Sequence, residues 1–304
     1  MPRRHIVLIT LLTLCPGLAA AGSHGNRSPI KKADILTTAA RSSQFTTLVR
    51  AINAAELDEA LRGRGPFTVF APTDAAFAKL PKGTLESLLR PENRTELRRV
   101  LLYHVVSGKI SAAAARRRGG AETLAGPRVT LSPRGSEGLK VDGARVVVAD
   151  VGTDNGVVHA IDRVLLPPDL DLAETAAQAG DFNTLLRAAE VAGLDELLEA
   201  DGPITLLAPT DEAFSRLPRG TVKALLRPEN RDDLRRVLAN HIIHGRVYAD
   251  EAARAGKADS ASHQRLSFGV SDGRLTVDGA RIVRSDIDAT NGVVHVIDRV
   301  LVPE

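Results

Sequence analysis

Apolar residues recur at helical spacing in the early part of the chain. Leu48, Val49 and Ile52 share one face of a predicted helix, and Asp34 is placed to cap an earlier one. A second run, at spacing i, i+3, i+4 and i+7, consists of Leu97, Val100, Leu101 and His104. These patterns predict that this part of the chain is helical.

The spacing changes to alternation further along the chain. The stretches GLKV and ARVVVADV, in residues 138–151, have the character of strands. The dipeptides Asp142-Gly143 and Asn155-Gly156 are typical of tight hairpin turns, so the strands are predicted to form an antiparallel meander. Helices followed by strands indicate the α+β fold class.

A strand and a helix meet in FTVFAPTDAAF, residues 67–77. Pro72 interrupts the strand pattern, and Thr73 or Asp74 is predicted to cap the helix that follows. Further on, Asn93 with Glu96 predicts a capping box at the start of the next long helix.

Most of these segments occur twice. LLRPENR stands at residues 88–94 and 225–231, and NGVVH at 155–159 and 291–295. A repeating unit of this length can close its own hydrophobic core. We therefore predict two tandem domains, residues 30–167 and 168–304, each with an N-terminal helical half packed on an antiparallel β meander.

The first residues have the composition of a secretory leader. Arg3 and Arg4 precede an apolar run, and small residues follow it, which predicts a signal peptide at 1–21 and a linker at 22–29. The expected location is therefore secreted, extracellular or periplasmic. The single cysteine, Cys15, lies in this leader, so the mature chain is expected to fold without a disulfide. Removal of the leader lowers the formal net charge from +3 to +1.

Charge and composition argue against several classes of function. A nearly neutral mature chain with 3% aromatic residues does not favour nucleic-acid binding. No later segment has the length and hydropathy of a membrane span. His241 and His244 have the spacing of a metal pair, but no third ligand is indicated. Common hydrolase and phosphate-loop motifs are missing from the sequence, so we expect no catalytic residues, no metal and no cofactor.

Three motifs in this order resemble the fasciclin domain. They are TVFAPTDAAF, then YHVV at residues 103–106, then NGVVHAID, and the second unit repeats them as ITLLAPTDEAF, NHIIHG and NGVVHVID. The resemblance covers residues 29–303. It implies a helix-and-strand wedge found in secreted or surface proteins that serve adhesion and matrix interaction, and the family has no common catalytic activity.

The resemblance also implies candidate site residues. Tyr103 with His104 matches a Tyr-His pair implicated in integrin recognition, and Asp286 with Ile287 matches an Asp-Ile pair with the same role. The alternative for His104 is a core histidine bonded to the backbone, and for Asp286 a loop residue that bonds nearby amides. The residues interpreted as structural are Thr73, Asp74, Thr210, Asp211, His241, Asn155 and Asn291.

The predicted function is that of a monomeric, non-catalytic adhesion or binding module. Its partner would be a cell-surface or matrix protein, or an envelope polymer, and two similar domains would provide avidity. The alternative is a soluble carrier or sensor of a small apolar ligand, bound between the helices and the meander. A hydrolase using Asp74 and His104 is a third and weaker hypothesis.

Overall fold

The computed structural model describes residues 33–134, 138–195, 198 and 202–303. The predicted signal peptide and linker lie outside the described residues. The described chain belongs to one compact unit that starts at Ala33. Within it the two sequence repeats form two similar halves, called here the first and the second domain.

The first domain begins with helices and continues with strands. Its helices are α1 Ile35–Ala40, α2 Thr46–Ala54, α3 Asp58–Arg62, α4 Asp74–Phe77, α5 Thr84–Leu88, α6 Arg94–Tyr103 and α7 Ala112–Arg118. Its strands are β1 Phe67–Pro72, β2 Val105–Ser107, β3 Gly120–Glu122, β4 Arg128–Arg134, β5 Gly138–Val141, β6 Ala144–Thr153 and β7 Gly156–Ile161.

The second domain has the same order of elements. The helices that the structure describes here are α8 Leu172–Ala179, α9 Asn183–Ala192, α10 Asp211–Ser215, α11 Thr221–Leu225, α12 Arg231–Ala239 and α13 Ala249–Ala255. Its strands are β8 Ile204–Pro209, β9 Ile242–His244, β10 Lys257–Asp259, β11 Arg265–Ser271, β12 Arg274–Val277, β13 Ala280–Ala289 and β14 Gly292–Ile297.

Each domain contains a mixed sheet, seven-stranded in the part of the chain that the structure describes. The strand order is β2-β1-β7-β6-β5-β4-β3 in the first domain and β10-β11-β12-β13-β14-β8-β9 in the second. Strands β3 to β7 form the predicted antiparallel meander, which confirms the α+β prediction. One feature of the sheet was not indicated by the sequence. Strand β1, which comes from the helical half, pairs with β7 in parallel.

The hairpin turns lie close to their predicted positions. Asp142 and Gly143 both have positive φ, at 45° and 77°, as a tight two-residue turn requires. The second turn is shifted by one residue, since Gly156 already pairs in β7. A side chain at Gly156 would collide with the carbonyl oxygen of Phe67, so glycine is needed here for the close approach of β1.

The capping box predicted at the start of α6 is wrong. The Asn93 side chain donates to the carbonyl oxygen of Ser87 at 2.8 Å instead of accepting from the helix. Glu96 forms an ion pair with Arg99 at 2.9 Å. A 3-10 turn at Pro91–Asn93 leads into α6 and directs the Asn93 side chain back towards α5.

Two apolar clusters fill each domain, one on the helical side of the sheet and one within the meander. In the first domain, Leu48, Leu97 and Val158 belong to the helical cluster, and Phe70 and Val129 to the meander cluster. The second domain repeats this division. Each domain therefore has an apolar core of its own, which supports the sequence-based division into two domains.

Candidate functional site

At the strand-to-helix corner, the polar residues Thr73 and Asp74 cap two different helices. The Thr73 hydroxyl accepts from the Ala76 N–H at 3.2 Å and so caps α4. The Asp74 carboxylate reaches back to another helix and accepts from the N–H groups of Thr47 at 2.7 Å and Thr46 at 3.3 Å. Asp74 therefore caps α2, a contact that spans 27 residues of sequence.

The second domain repeats this corner. Thr210 accepts from the Ala213 N–H at 3.1 Å, and Asp211 accepts from the Thr184 N–H at 2.7 Å. Burial tends to raise the pKa of Asp74 and of Asp211, but the amide hydrogen bonds outweigh it and lower the pKa of both carboxyls. The charged carboxylates thus serve as helix caps.

His104 lies in the core and not at the surface. It is 2% exposed, its Nδ1 donates to the carbonyl oxygen of Val100 at 2.8 Å, and its Nε2 accepts from the Leu165 N–H at 2.9 Å. His241 makes the two equivalent hydrogen bonds, at 2.7 and 2.9 Å. Burial lowers the pKa of both histidines to about 4, so each ring is neutral at physiological pH.

Asn155 ties the last hairpin to the helical half of its domain. Its Oδ1 accepts from the Ile35 N–H at 3.0 Å, and its Nδ2 donates to the carbonyl oxygen of Leu61 at 2.8 Å. Asn291 makes the equivalent bonds in the second domain, at 3.0 and 2.7 Å. The Asn-Gly motif thus provides a long-range crosslink in addition to its turn.

The Asp286-Ile287 pair is divided between surface and core. Asp286 has a positive φ of 58°, its side chain is 40% exposed, and its carboxylate accepts from the Ala249 N–H at 2.8 Å. Its Oδ1 lies 4.0 Å from Nδ1 of the buried His295. Ile287 is partly buried and packs against the helical cluster of its domain. Asp286 thus bonds a nearby amide and still faces solvent.

Tyr103 lies beside the boundary between the two domains. The side chain is 4% exposed, and its hydroxyl donates to Asp142 at 2.8 Å. The same oxygen is 3.2 Å from the carbonyl oxygen of Arg128, the first residue of β4. Tyr103 therefore supports a strand whose first residue contacts the second domain, while its own ring is covered.

Tyr248 and Arg128 join the domains. The Tyr248 hydroxyl accepts from the Arg128 N–H at 2.9 Å and donates to Asp288 at 2.7 Å. The Arg128 guanidinium lies 5.0 Å from the centre of the Tyr248 ring, a cation–π contact, and forms an ion pair with Asp250 at 2.5 Å. The Arg128 side chain is 14% exposed and that of Asp250 is 46% exposed, so only the arginine of this pair is shielded from solvent.

Asp288 is the most perturbed carboxyl of the boundary. Burial raises its pKa to about 6, the hydrogen bond from Tyr248 and the charge of Arg246 oppose this rise, and the carboxylate of Asp142 adds to it. The Arg246 guanidinium lies 3.6 Å from Asp288 and also donates to backbone carbonyls at the end of β13. Two carboxylates from different domains thus oppose each other across the boundary.

A cleft runs along this boundary in two connected halves of about 640 Å³ and about 820 Å³. Five residues line both halves, and we call the whole space the interdomain cleft: they are Arg118, Arg128, Tyr248, Asp250 and Arg254. Three arginines, one aspartate and one tyrosine thus line the region where the two halves meet.

The structure brings two of the predicted partner-binding residues near this cleft and leaves two away from it. Asp286 lines the larger half, and Tyr103 supports Arg128 from the opposite domain. His104 is enclosed in the first domain, and Ile287 lines a small separate groove. Binding of a partner through these four residues stays a prediction.

Sequence reasoning missed the residues that join the domains. Tyr248 and Asp250 occupy the positions of Ser111 and Ala113 in the first unit, and Asp288 that of a glycine. The boundary residues of the second domain are therefore places where the two copies differ. A search for differences between the copies, instead of similarities, would have found them.

A comparison with protein-family models supports the resemblance read from the motifs. The model described as the fasciclin domain matches residues 43–167 and 180–303. The chain belongs to the fasciclin family. Both domains described above are fasciclin domains, each with its helices and mixed sheet.

Curated relatives of this fasciclin chain occur in bacteria and in mammals. Protein sll1483 of Synechocystis sp. is 52% identical over 134 residues, which is 44% of this chain and 73% of that protein. Immunogenic protein MPB70 of Mycobacterium bovis is 38% identical over 161 residues, or 51% of this chain and 80% of that protein. The transforming growth factor-beta-induced protein ig-h3 of Sus scrofa is 31% identical over 295 residues, which covers 95% of this chain. The chain spans only 42% of the length of ig-h3.

Among solved structures, the chain is similar to a FAS1 domain pair from the insect cell adhesion molecule Fasciclin I. The TM-score is 0.43 at 18% identity, and the match covers 85% of this chain and 97% of that one. Within the described residues, no helix has the length and hydropathy needed to cross a membrane. The same residues contain no group of three or more His, Cys, Asp or Glu side chains arranged to hold a metal ion.

Proposed function

We propose that this chain is a non-catalytic adhesion or binding module that acts outside the cytoplasm, with two fasciclin domains as its binding unit. Its partner is a cell-surface or matrix protein, or an envelope polymer. Membership of the fasciclin family over both domains supports this assignment. In this proposal the chain is a monomer, and its two domains provide avidity towards a repeated partner.

The main support for the proposal is that the potentially reactive side chains, His104 and Asp74, form hydrogen bonds with backbone groups. Both ring nitrogens of His104 are bonded to main-chain groups, and Asp74 caps α2. The two side chains that would form a catalytic dyad therefore have other partners. A general base must reach the proton it removes, and the enclosed ring of His104 does not offer that access.

The interdomain cleft is the surface that the proposal assigns to the partner. Tyr248 and Arg128 hold its two walls together, so the cleft is formed before a partner arrives, which lowers the entropic cost of binding. Asp286 reaches the partner directly in this proposal because it is exposed and lines the cleft. Tyr103 contributes by positioning Arg128.

The test is a binding titration of the secreted form, residues 22–304, against envelope preparations and matrix proteins of its source organism. Fragments 30–167 and 168–304 are titrated beside it, at the proposed domain boundaries. We expect saturable binding that is at least about tenfold tighter for the pair than for either fragment. Absence of saturable binding to every preparation would refute the proposed function.

A second candidate function is supported by a pair of small apolar grooves. In the first domain, Ala39 and Phe45 face Val148, Val151 and Val158 across a groove of about 230 Å³. The second domain has the equivalent groove, of about 200 Å³. This is where a carrier of a small apolar ligand would hold its cargo. Ligand pockets usually measure about 300–1,000 Å³, so the size of these grooves favours the binding module.

Native mass spectrometry of the purified protein separates the two functions. A bound small molecule that is retained through purification would support the carrier. A measured mass equal to that of the bare chain would support the binding module.

A further inference from the structure

Helix α7 ends with consecutive arginines at one wall of the interdomain cleft. Arg117 and Arg118 line its larger half, together with Arg254 of α13 from the other domain. All three side chains are exposed. Within the described residues, neither Arg117 nor Arg118 has an ion-pair partner, so their charges are open to a ligand.

The acidic side chains of the same half are already engaged. Asp250 is shared between Arg128 at 2.5 Å and Arg254 at 3.1 Å, so one carboxylate serves two guanidinium groups. Asp286 accepts from a backbone N–H, and Asp288 accepts from Tyr248. All three of these aspartates belong to the second domain. The first-domain wall of this half consists of three arginines, Gly119 and Thr130, so positive charge predominates on that wall.

Exposed guanidinium groups that lack a carboxylate partner are suited to bind anionic oxygens. The planar fork of arginine donates two parallel hydrogen bonds to a carboxylate, sulfate or phosphate group. Arg117 and Arg118 also lie at the C-terminus of α7, where the helix dipole favours positive side chains. The helix dipole thus favours their positive charge at the wall of the cleft.

We propose that the larger half of the interdomain cleft binds the anionic groups of an acidic polysaccharide, with Arg117 and Arg118 as the principal contact residues and Arg254, which also pairs with Asp250, as a further contact from the second domain. This proposal rests on the proposed function and names the partner class for its cleft. Neighbouring anionic groups along such a polymer would meet guanidinium groups from both domains at once. One polymer strand would then contact both walls.

The lining of the cleft favours a polysaccharide over other macromolecules. Protein interfaces are centred on apolar and aromatic anchors, whereas this half offers Gly119, Ala253 and a Tyr248 ring already covered by Arg128. Single-stranded nucleic acid needs exposed aromatic rings for stacking. Repeated carboxylate or sulfate groups need only the arginine donors.

The test uses three polymers and two matched double variants of the secreted form. Polygalacturonate supplies carboxylates, dextran sulfate supplies sulfates, and neutral dextran supplies neither. The variant Arg117→Ala with Arg118→Ala removes the cleft charges. The control, Arg50→Ala with Arg187→Ala, removes two exposed arginines at equivalent positions of α2 and α9. Affinities are measured by isothermal titration calorimetry at low and at physiological salt.

We expect saturable binding of at least one acidic polymer. The polymer that binds, polygalacturonate or dextran sulfate, identifies whether the cleft prefers carboxylate or sulfate groups. The cleft variant should bind about tenfold more weakly or worse, as the loss of charge-assisted hydrogen bonds predicts, while the control binds like wild type. Affinity should fall with rising salt. The proposal is overturned if neither acidic polymer binds, if neutral dextran binds equally, or if both variants weaken binding to the same extent.

The envelope titration separates failure of this inference from failure of the proposed function. If wild type and the cleft variant bind the envelope equally well, the binding module stands and the cleft assignment falls. If wild type does not bind the envelope at all, the proposed function falls, and the polymer titration still decides on the cleft.

Discussion

Replacement of His104 by alanine tests whether this residue is a core crosslink or a surface contact. The ring joins the end of α6 to the segment after β7 through two buried hydrogen bonds. Alanine would leave the Val100 carbonyl and the Leu165 N–H without these partners, at about 1–3 kcal/mol each. The cavity left by the ring adds about 2 kcal/mol. We therefore expect the first domain to lose about 4 kcal/mol or more of unfolding free energy, a large part of the ~5–15 kcal/mol typical of a domain.

The same residue predicts a pH dependence with a defined sign. The folded-state pKa of His104 is lowered to about 4, while an unfolded histidine titrates near 6.5. Below pH 6.5 the unfolded chain binds a proton that the folded chain does not, so stability falls as pH falls from 6.5 to 4. At about 1.4 kcal/mol per pH unit, the loss reaches about 3 kcal/mol for this histidine. In His104→Ala this loss should disappear from the first domain and remain in the second, where His241 is unchanged.

The assay is urea unfolding followed by far-UV circular dichroism at pH 7.5 and pH 5.0, because the chain contains no tryptophan. Hydrogen exchange resolved by mass spectrometry assigns each transition to a domain. His244→Ala, at an exposed position of β9, is the control and should change stability by less than about 0.5 kcal/mol. A His104→Ala protein with wild-type stability, or with a wild-type pH slope in the first domain, would refute the core assignment.

Three further predictions concern the other crosslinks and the domain boundary. Asn155→Ala should destabilise the first domain by about 2–4 kcal/mol, and Asn291→Ala should destabilise the second, because each variant leaves buried backbone groups unpaired. Hydrogen exchange should show loss of protection only in the domain that carries the substitution. Equal effects on both domains would contradict the assignment. Asp74→Ala should lower the melting temperature by an amount equivalent to about 1–2 kcal/mol, because α2 loses its cap. Since the pKa of Asp74 is lowered in the folded state, the difference in stability between this variant and wild type should vanish as pH falls well below 3.8. Asp288 has a folded-state pKa raised from 3.8 to about 6, so its ionisation lowers stability as pH rises between these two values. Asp288→Asn should therefore be more stable relative to wild type at pH 7.5 than at pH 5.0, and a difference in melting temperature that is independent of pH would argue against it.

The two domains share the contacts of their cores and differ at the boundary. Paired residues such as His104 and His241, or Asn155 and Asn291, make the same contacts in both domains. Tyr248, in contrast, differs from its counterpart Ser111, which has no ring to lie under a guanidinium. Such differences allow the two domains of one chain to contact each other through unlike surfaces, and the interdomain cleft results from them.

Several features of the fold were predictable from local patterns. Helical spacing, the Asp142-Gly143 turn and the threonine cap at Thr73 depend on neighbouring residues, so the sequence contains the whole reason for them. The capping box at Asn93 failed because the preceding 3-10 turn competes for the same side chain. The placement of β1 beside β7 involves residues about 90 positions apart, and no local pattern encodes it.

The candidate site was predictable only in part. Two of the residues that the motifs suggested lie near the interdomain cleft, because Tyr103 supports Arg128 and Asp286 lines the cleft, and binding through them stays a prediction. The Tyr-His motif did not show whether the His104 ring is buried or exposed, since helical spacing places His104 on an apolar face whether that face is covered or open. The partners of its ring nitrogens come from distant backbone, which only packing brings near.

The sequence by itself determined that this is a cysteine-poor chain of two fasciclin domains, because repeats, turn residues and apolar spacing are properties of neighbouring positions. Tertiary structure alone decided that Arg128 of the first domain meets Tyr248 and Asp250 of the second, and that the arginines of α7 and α13 line one cleft. These residues come from separate elements, and their charges interact only after the two cores have formed and the domains have packed. The fold therefore follows from patterns within each unit, whereas the interdomain cleft follows from the contact between units.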